Sequence, residues 1–584
     1  MNCTLAFFFD FWWKNIWPGL GLFGESYLLF SIGLFQPFWE ILYPECFHTN
    51  NYDDNDDYQG ENNDGTVECS KEVVHSLTYS VVSGIIMGMI VIGYLSNYIG
   101  RRNGSILTAS VMCFGAIGLT ITSTTVSSAS SQGVFTSMSI LFFVFGFGVG
   151  GEYPLSSSSA AEKKMNASGE DNTNINRGRT VQLVFLNQGT GILTNCLCLV
   201  LLLLLYGQYG REGENNITYD KNALISIWQI TYSIGAMILL FVLITRILYL
   251  EESIVWKEQQ YKMNTEINDN NNNNNKNTPT EEKRSLEEDN ARTTAKKSNS
   301  FRLLLDWYGT RLFGTSAVWF LWDVTFYGNK LFQSTFLLAI SSSSSSNSEG
   351  TSLLSFYIAA TMNAFVAVMG YIGAAFLLDT IGRYRLQQYG LFVVGTLFLL
   401  CGYLLNYLPS WCLILLYFTS SFVGQLGPNA TTFIIPAEIF PTKQRTLCHG
   451  IAAASGKVGA LFAAMFFHRL PRTDTMFLVC GYLSFLACCI TFYTIPNNDD
   501  NGKANNTKDD PMDQLDREWN SIIIQSQQEQ KERNYHYNKT SSSSTTLPDE
   551  FLSYYERKYD PKRRRQQQRQ QNTTTTMNIQ LNFL

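Results

Sequence analysis

Three side chains that could bind an anion and a proton recur at four-residue intervals in the stretch WFLWDVTFYGNKLF. Trp319, Asp323 and Tyr327 occupy positions i, i+4 and i+8, so a helix would place them on one face. An indole and a phenol donate hydrogen bonds, whereas a carboxylate accepts them or takes up a proton. An ionisable residue in an apolar span indicates a functional site. The alternative is that Asp323 only packs this helix, with its oxygens satisfied by the Trp and the Tyr.

Further polar residues interrupt other apolar stretches. An ionisable side chain at the centre of a membrane helix costs about 2.5–3.5 kcal/mol on insertion scales, so each one requires a reason. The polar residues that interrupt these other apolar stretches, ionisable or not, are Glu25, Glu152, Tyr153, Gln188, Asn429, Glu438 and Lys457.

The composition indicates a membrane protein. Of the 584 residues, 45% are hydrophobic and 15% are charged, against about 25% charged in an ordinary soluble domain. The net charge of −6 argues against a nucleic-acid partner. Twelve apolar segments are long enough to cross a bilayer as helices. They run near Pro18–Ile41, Val73–Leu95, Ile106–Ser123, Val134–Leu155, Val181–Leu205, Leu224–Leu250, Thr315–Ile340, Leu353–Leu378, Leu386–Leu405, Trp411–Ile435, His449–His468 and Met476–Ile495.

These segments predict an all-α membrane protein of 12 transmembrane helices in two six-helix halves. The halves are residues 1–250 and 306–496. Residues 251–305 contain NDNNNNNNKN and predict a disordered linker. Residues 497–584 are polar, with the basic run KRRRQQQRQQ, and predict a disordered tail. Cytoplasmic regulators could bind either segment.

The loops alternate in charge, and the positive-inside rule then places both termini in the cytoplasm. The plasma membrane is the expected location. Cys46 and Cys69 bracket an acidic loop on the opposite side, where a disulfide could form, although spacing alone leaves the pairing open. Asn216 begins an Asn-Ile-Thr sequon on that side, so it could carry a glycan.

A short motif occurs at the same point of each half. Asn97 precedes Gly100-Arg101-Arg102, and Asp379 precedes Gly382-Arg383. Two copies in register resemble the loop motif of the major facilitator superfamily, whose two halves surround a site at the middle of the membrane. The resemblance implies a secondary transporter that exposes this site alternately to each side.

Three longer motifs narrow the resemblance. GGEYPLSSSSAAE, WFLWDVTFYGNKL and GPNATTFIIPAEIFPTKQRTLCHGIAAASGKVGA are similar to motifs of the proton-coupled phosphate symporters. The resemblance implies substrate binding by Tyr153, Gln188, Trp319, Asp323, Tyr327, Asn429 and Lys457. It implies proton coupling by Glu25, Glu152 and Asp323. It implies gating by Arg101, Arg102, Glu162, Asp379, Arg383, Glu438 and Arg445.

The sequence departs from that family at two points. Glu152 replaces an Asp, and Leu28 stands where the family often has a second Asp. The expected function is import of inorganic phosphate with protons. Transport of another organic anion, such as a glycerophosphodiester, and phosphate sensing by a transceptor are the alternatives. The expected partners are phosphate, protons and the lipid bilayer. Neither GxxxxGK[ST] nor HExxH occurs, so we expect no enzyme activity, cofactor or metal.

Overall fold

A computed structural model describes fifteen stretches of the chain. They are residues 19–47, 69, 71–124, 130–166, 177–208, 219–252, 257, 279–331, 333, 336–337, 352–467, 469–470, 472–496, 515–526 and 528. Within these stretches all regular structure is helical.

Twelve helical spans follow one another along the chain, as the sequence predicted. Helix α1 has two segments, Leu20–Leu29 and Ser31–Leu42, and helix α10 has Ser410–Gly424, a π-helical turn at Gln425–Asn429, and Ala430–Glu438. The others are α2 (Lys71–Ile99), α3 (Arg101–Thr124), α4 (Ser131–Asn166), α5 (Arg177–Leu205), α6 (Lys221–Tyr249), α7 (Pro279–Leu331), α8 (Leu353–Ile381), α9 (Arg383–Leu404), α11 (Thr442–Phe467) and α12 (Thr473–Thr494).

Ten of the described helices are long and apolar enough to cross a membrane. The two remaining spans are α1, which is divided at Phe30, and α7, whose apolar part contains Asp323, Asn329 and Lys330. The predicted twelve-helix membrane fold is confirmed.

One helix boundary differs strongly from the prediction. Helix α7 begins at Pro279 rather than near Thr315, so its first part overlaps the predicted linker. The segment after Pro279 is rich in Glu, Lys, Arg and Ala, which are good helix formers, and Pro is favoured at a helix start. This first part of α7 has no apolar periodicity, so its sequence predicts no membrane span. Residues 515–526, in the predicted tail, are also helical.

Small residues let the helices approach closely. A Cβ atom on Gly146 of α4 would lie 2.2 Å from the Val81 carbonyl oxygen of α2, and one on Gly88 would lie 2.0 Å from that of Phe147. Lipid supplies no hydrophobic drive for helices to associate, so such backbone packing holds membrane bundles together. Helix α5 packs on α8 and α2 packs on α11, and these two pairs join the halves.

The two Gly-Arg motifs form turns at one end of the bundle. Gly100 has φ of 91° and Gly382 has φ of 97°, a backbone region that favours glycine. We call this end the Gly-Arg side. At the other end, Cys46 and Cys69 form a disulfide that ties the end of α1 to the start of α2. We call it the disulfide side. Asn216 lies outside the described residues.

Candidate functional site

Trp319, Asp323 and Tyr327 share one face of α7, which we call the functional stripe, and its last two members meet a lysine from α11. Lys457 Nζ lies 3.0 Å from Asp323 Oδ2 and 2.8 Å from Tyr327 Oη, and its ammonium sits 4.4 Å from the centre of the Tyr327 ring. Each of the three residues is at most 3% exposed. We call Asp323, Tyr327 and Lys457 the central cluster. An anion could replace the carboxylate as the partner of this lysine.

A chain of hydrogen bonds beside the central cluster joins the two halves. Gln188 Nε2 donates to Tyr153 Oη at 2.8 Å, and Tyr371 Oη donates to Gln188 Oε1 at 2.9 Å. Asn429 Nδ2 then donates to Tyr371 Oη at 2.8 Å. Lys457 links the chain to the cluster, since its ammonium lies 5.0 Å from the centre of the Tyr153 ring. The chain presents phenol and amide groups that can bind phosphate oxygens.

Local backbone irregularity positions Asn429. It ends the π-helical turn of α10, which contains Pro428. Proline has no N–H for the helical ladder, and π-turns within α-helices are frequent at functional sites. The Asn429 amide is held by Gln425 Oε1 at 2.7 Å, and Trp322 Nε1 donates to its oxygen at 3.2 Å.

An aromatic layer separates the central cluster from the Gly-Arg side. Phe185 of α5 stacks on Phe433 of α10 with ring centres 4.5 Å apart and planes within 5°. Trp319 lies beside the Asp323 carboxylate and packs edge-on against Phe433. Because Phe185 and Phe433 belong to different halves, their stacking closes the space between the halves at this level.

Glu25 on α1 is completely buried near the central cluster. Its carboxylate interacts electrostatically with Lys457 and faces the Tyr153 phenol. Neither carboxylate oxygen has a hydrogen-bond partner of normal length within the described part of the chain. A buried carboxylate without such partners is unfavourable as an anion. Its position suits a group that exchanges a proton.

Glu152 has a different environment, because successive helix positions point about 100° apart. Tyr153 faces the central cluster, whereas Glu152 faces Arg246 of α6. The two form a buried ion pair in which Arg246 Nη1 lies 2.8 Å from Glu152 Oε2 and Nη2 contacts Oε1. Arg246 Nη1 also donates to the Ser105 carbonyl at 2.8 Å. Arg246 therefore holds the Glu152 carboxylate against α3 and α6 rather than toward the central cluster.

Arg246, Tyr371 and Trp322 also contribute to this region, and the sequence pattern did not predict them. Arg246 lies in the last turn of α6, where an arginine ordinarily extends to the membrane surface. Tyr371 and Trp322 are common residue types in membrane helices. No spacing signal in the sequence distinguishes them.

Contacts between the halves occur on both sides of the central cluster. On the disulfide side, Phe30 packs on Tyr327 at 5.7 Å between ring centres, and Tyr357 Oη donates to the Leu34 carbonyl. On the Gly-Arg side, Gln182 Nε2 donates to the Tyr371 carbonyl at 3.2 Å. The cluster is therefore enclosed in this conformation.

The second Gly-Arg turn connects to both halves. Arg383 Nη2 lies 2.8 Å from Asp379 Oδ1, and its Nε lies 3.0 Å from Glu438 Oε2. The backbone N–H of Arg179, in the other half, donates to Asp379 Oδ2 at 3.3 Å. Asp379 therefore accepts a hydrogen bond at the N-terminal turn of α5, where the helix dipole favours an anion.

The first Gly-Arg turn stays within its own half. Glu252, just after α6, accepts hydrogen bonds from the backbone N–H groups of Arg101 and Arg102 at 2.8 and 3.1 Å. Arg102 Nε donates to the Leu250 carbonyl at 2.7 Å.

Arg445 Nη2 donates to the Phe440 carbonyl at 3.5 Å. The side chains of Asn97 and Glu162 are outside the described part of the structure.

The fold and the enclosed polar cluster are those of a secondary transporter, and comparisons with known proteins agree. The family model described as "Sugar (and other) transporter" matches residues 16–498, so the chain belongs to that family. The chain is similar to inorganic phosphate transporter 1-11 of Oryza sativa subsp. japonica, with 28% identity over 77% of this chain and 78% of the relative. It is 27% identical to inorganic phosphate transporter 1-4 of Arabidopsis thaliana, over 84% of this chain and 93% of the relative.

Solved structures support the fold. A double-Trp mutant of XylE has a TM-score of 0.58 at 16% identity, covering 86% of this chain and 98% of that one. The major facilitator superfamily proton:xylose symporter XylE with a bound bromo-deoxyglucose has a TM-score of 0.55 at 16% identity, covering 82% and 94%. The predicted resemblance to this superfamily and to its phosphate transporters is confirmed.

Proposed function

We propose that this protein imports inorganic phosphate together with protons by alternating access. The observation that carries the proposal is the central cluster, in which a buried lysine is shared by a carboxylate and a phenol between the two halves. The relatives named as inorganic phosphate transporters support the choice of substrate.

The chemistry of dihydrogen phosphate fits these groups. Its unprotonated oxygens can accept hydrogen bonds from Tyr153, Gln188 and Asn429. As the anion arrives, and before Asp323 takes up a proton, its P–OH groups can donate to the Asp323 carboxylate. Sulfate has no such proton near neutral pH, so the Asp323 carboxylate would repel it, which discriminates between the two anions.

Proton coupling follows from the charge of the central cluster. Without substrate, the Asp323 carboxylate and the Lys457 ammonium cancel. A bound phosphate monoanion adds a negative charge in a region from which water is excluded. Protonation of Asp323 restores neutrality and releases Lys457 to pair with the phosphate. One proton thus enters with each anion.

A second proton would make import use the membrane potential. Moving one elementary charge across 100 mV is worth about 2.3 kcal/mol, so a negative interior favours a net positive load. Glu25 is our candidate for this second proton, because it is buried near Lys457 and its carboxylate has no hydrogen-bond partner of normal length within the described residues. Glu152 serves instead as the fixed partner of Arg246.

Alternating access would separate the two sets of contacts in turn. Opening the disulfide side breaks the Phe30–Tyr327 and Tyr357–Leu34 contacts. Opening the Gly-Arg side separates Phe185 from Phe433 and releases Asp379 from the N-terminus of α5. The gating roles assigned to Arg383 and Glu438 follow from the ion pairs that Arg383 makes with Asp379 and with Glu438.

The orientation forms part of the proposal. A disulfide persists in oxidising compartments, so the disulfide side faces the cell exterior and the Gly-Arg side faces the cytoplasm. Both termini are then cytoplasmic, and the protein resides in the plasma membrane. Regulators could bind the segment between the halves or the tail.

Labelled phosphate uptake in cells without their own phosphate importers tests this function. Uptake should rise with external acidity and be independent of sodium. Asp323→Asn should abolish accumulation with unchanged surface expression. Asp306→Asn, an exposed site on the same helix, is the matched control and should transport normally. Equal accumulation by the two variants would exclude Asp323 as the coupling residue. Unlabelled sulfate and glycerophosphodiesters added as competitors identify the preferred anion.

A further inference from the structure

Lys330 extends the functional stripe of α7 toward the disulfide side. It lies seven residues after Asp323 and three after Tyr327. Seven residues turn a helix to within about 20° of the starting direction and raise it by about 10 Å. Lys330 therefore shares the Asp323 face, nearly two turns closer to the disulfide side.

The side chain of Lys330 is largely buried, and no counter-charge faces it among the described residues. The residue is 8% exposed. Among the described residues its ammonium makes no ion pair and no hydrogen bond, in contrast to Lys457 with Asp323 and Arg246 with Glu152. A buried cation that lacks a partner is unfavourable and attracts an anion.

Lys330 lies where the two halves meet. Its carbonyl oxygen is 3.0 Å from the position of a Cβ on Gly33 of α1. The adjacent Leu331 borders a small cavity between the halves that is also lined by Gln36 and His75. This cavity, which is lined by both apolar and polar side chains, is on the disulfide side of the central cluster.

We propose that Lys330 forms an outer anion subsite, at which dihydrogen phosphate pairs with its ammonium before reaching the central cluster. The proposal rests on the proposed function for the identity of the anion. A positive charge within a low-dielectric cleft concentrates anions and raises their association rate. It changes the maximal rate little, because it does not hold the anion while the halves rearrange.

The kinetic test compares Lys330→Gln with Lys221→Gln. Lys221 is an exposed lysine at the start of α6 on the same side, so the two variants lose the same charge. Lys330→Gln should raise the KM for phosphate about tenfold at low salt, with the maximal rate within twofold of wild type. Lys330→Arg should keep the wild-type KM. Because Lys330 has no partner among the described residues, its removal leaves none of them as an unpaired buried group. An unchanged KM in Lys330→Gln overturns the proposal.

A binding measurement separates this proposal from the proposed function. Thermal unfolding of the purified full chain is followed with added inorganic phosphate, sulfate or chloride. Phosphate should stabilise wild type and Lys221→Gln more than Lys330→Gln. Equal stabilisation of all three overturns the outer subsite, even where uptake is normal. Absence of phosphate uptake in wild type overturns the proposed function. If sulfate then stabilises wild type against thermal unfolding but does not stabilise Lys330→Gln, the outer subsite is still supported.

Discussion

The ion pair between Glu152 and Arg246 provides a sharp test of the packing in the first half. Their side chains are 2% and 10% exposed, respectively, so both charges are removed from water. Arg246→Met deletes the cation and leaves the Glu152 carboxylate buried. We expect the free energy of unfolding to fall by about 3–5 kcal/mol, the usual cost of breaking a buried pair from one side. That loss lowers the folded-to-unfolded ratio by more than about a hundredfold.

A double-mutant cycle gives the matched controls. Glu152→Leu combined with Arg246→Met replaces the pair by apolar groups of similar size, which is often nearly neutral. The double variant should therefore be more stable than Arg246→Met alone. Arg246→Lys keeps the charge but loses the two-pronged contact, so it should be intermediate.

The assay is unfolding in detergent, followed by tryptophan fluorescence over a denaturant series. A coupling energy above about 1 kcal/mol is expected between the two sites, because contacting residues are not additive. The reasoning fails if Arg246→Met unfolds within about 0.5 kcal/mol of wild type. It fails equally if the double variant loses the sum of the two single losses.

Three further predictions concern closure and stability. Phe185→Ala should remove about 0.5–1.5 kcal/mol of aromatic stacking. Amide hydrogen exchange at the start of α5 should then be about two- to tenfold faster, whereas the control Phe313→Ala, at an exposed position, should leave it unchanged. Equal exchange rates in the two variants would contradict the closure by Phe185. Gly382→Ala should cost roughly 1–3 kcal/mol because φ is positive there, and an unchanged melting temperature would oppose this. Reduction of the Cys46–Cys69 disulfide should lower the free energy of unfolding by about 3 kcal/mol. Unfolding is measured with and without reductant, and the Cys46→Ser/Cys69→Ser variant should show no change when reductant is added.

The positions of Asp323 and Tyr327 could be predicted because a fixed helical period relates spacing to direction. Their shared partner, Lys457, lies on another helix, and the contact depends on how α7 and α11 pack. Sequence spacing carries no such information. The motif resemblance named Lys457 as a candidate, and the contact distances show which groups it joins.

Glu152 illustrates where reasoning from the sequence reached its limit. The sequence shows that Glu152 and Tyr153 are adjacent, but which of the two faces the site depends on the rotation of α4 about its axis. That rotation is set by the glycine contacts with α2. The N-terminal part of α7 escaped prediction for the opposite reason, because its helix has charged residues and no apolar face to detect.

The interruptions of α1 and α10 have a mechanical consequence. Each helix consists of two segments, which meet at Phe30 in α1 and at the π-helical turn in α10. The Ser31–Leu42 segment of α1 carries Leu34, which contacts Tyr357, and the Ala430–Glu438 segment of α10 carries Phe433. Each of these two segments therefore carries a contact between the halves, on the disulfide side in α1 and on the Gly-Arg side in α10. A bend at one interruption can change the contact on one side without moving the other segment of that helix. A substitution at one interruption should change the opening rate on one side of the bundle and leave the opening rate on the other side unaffected.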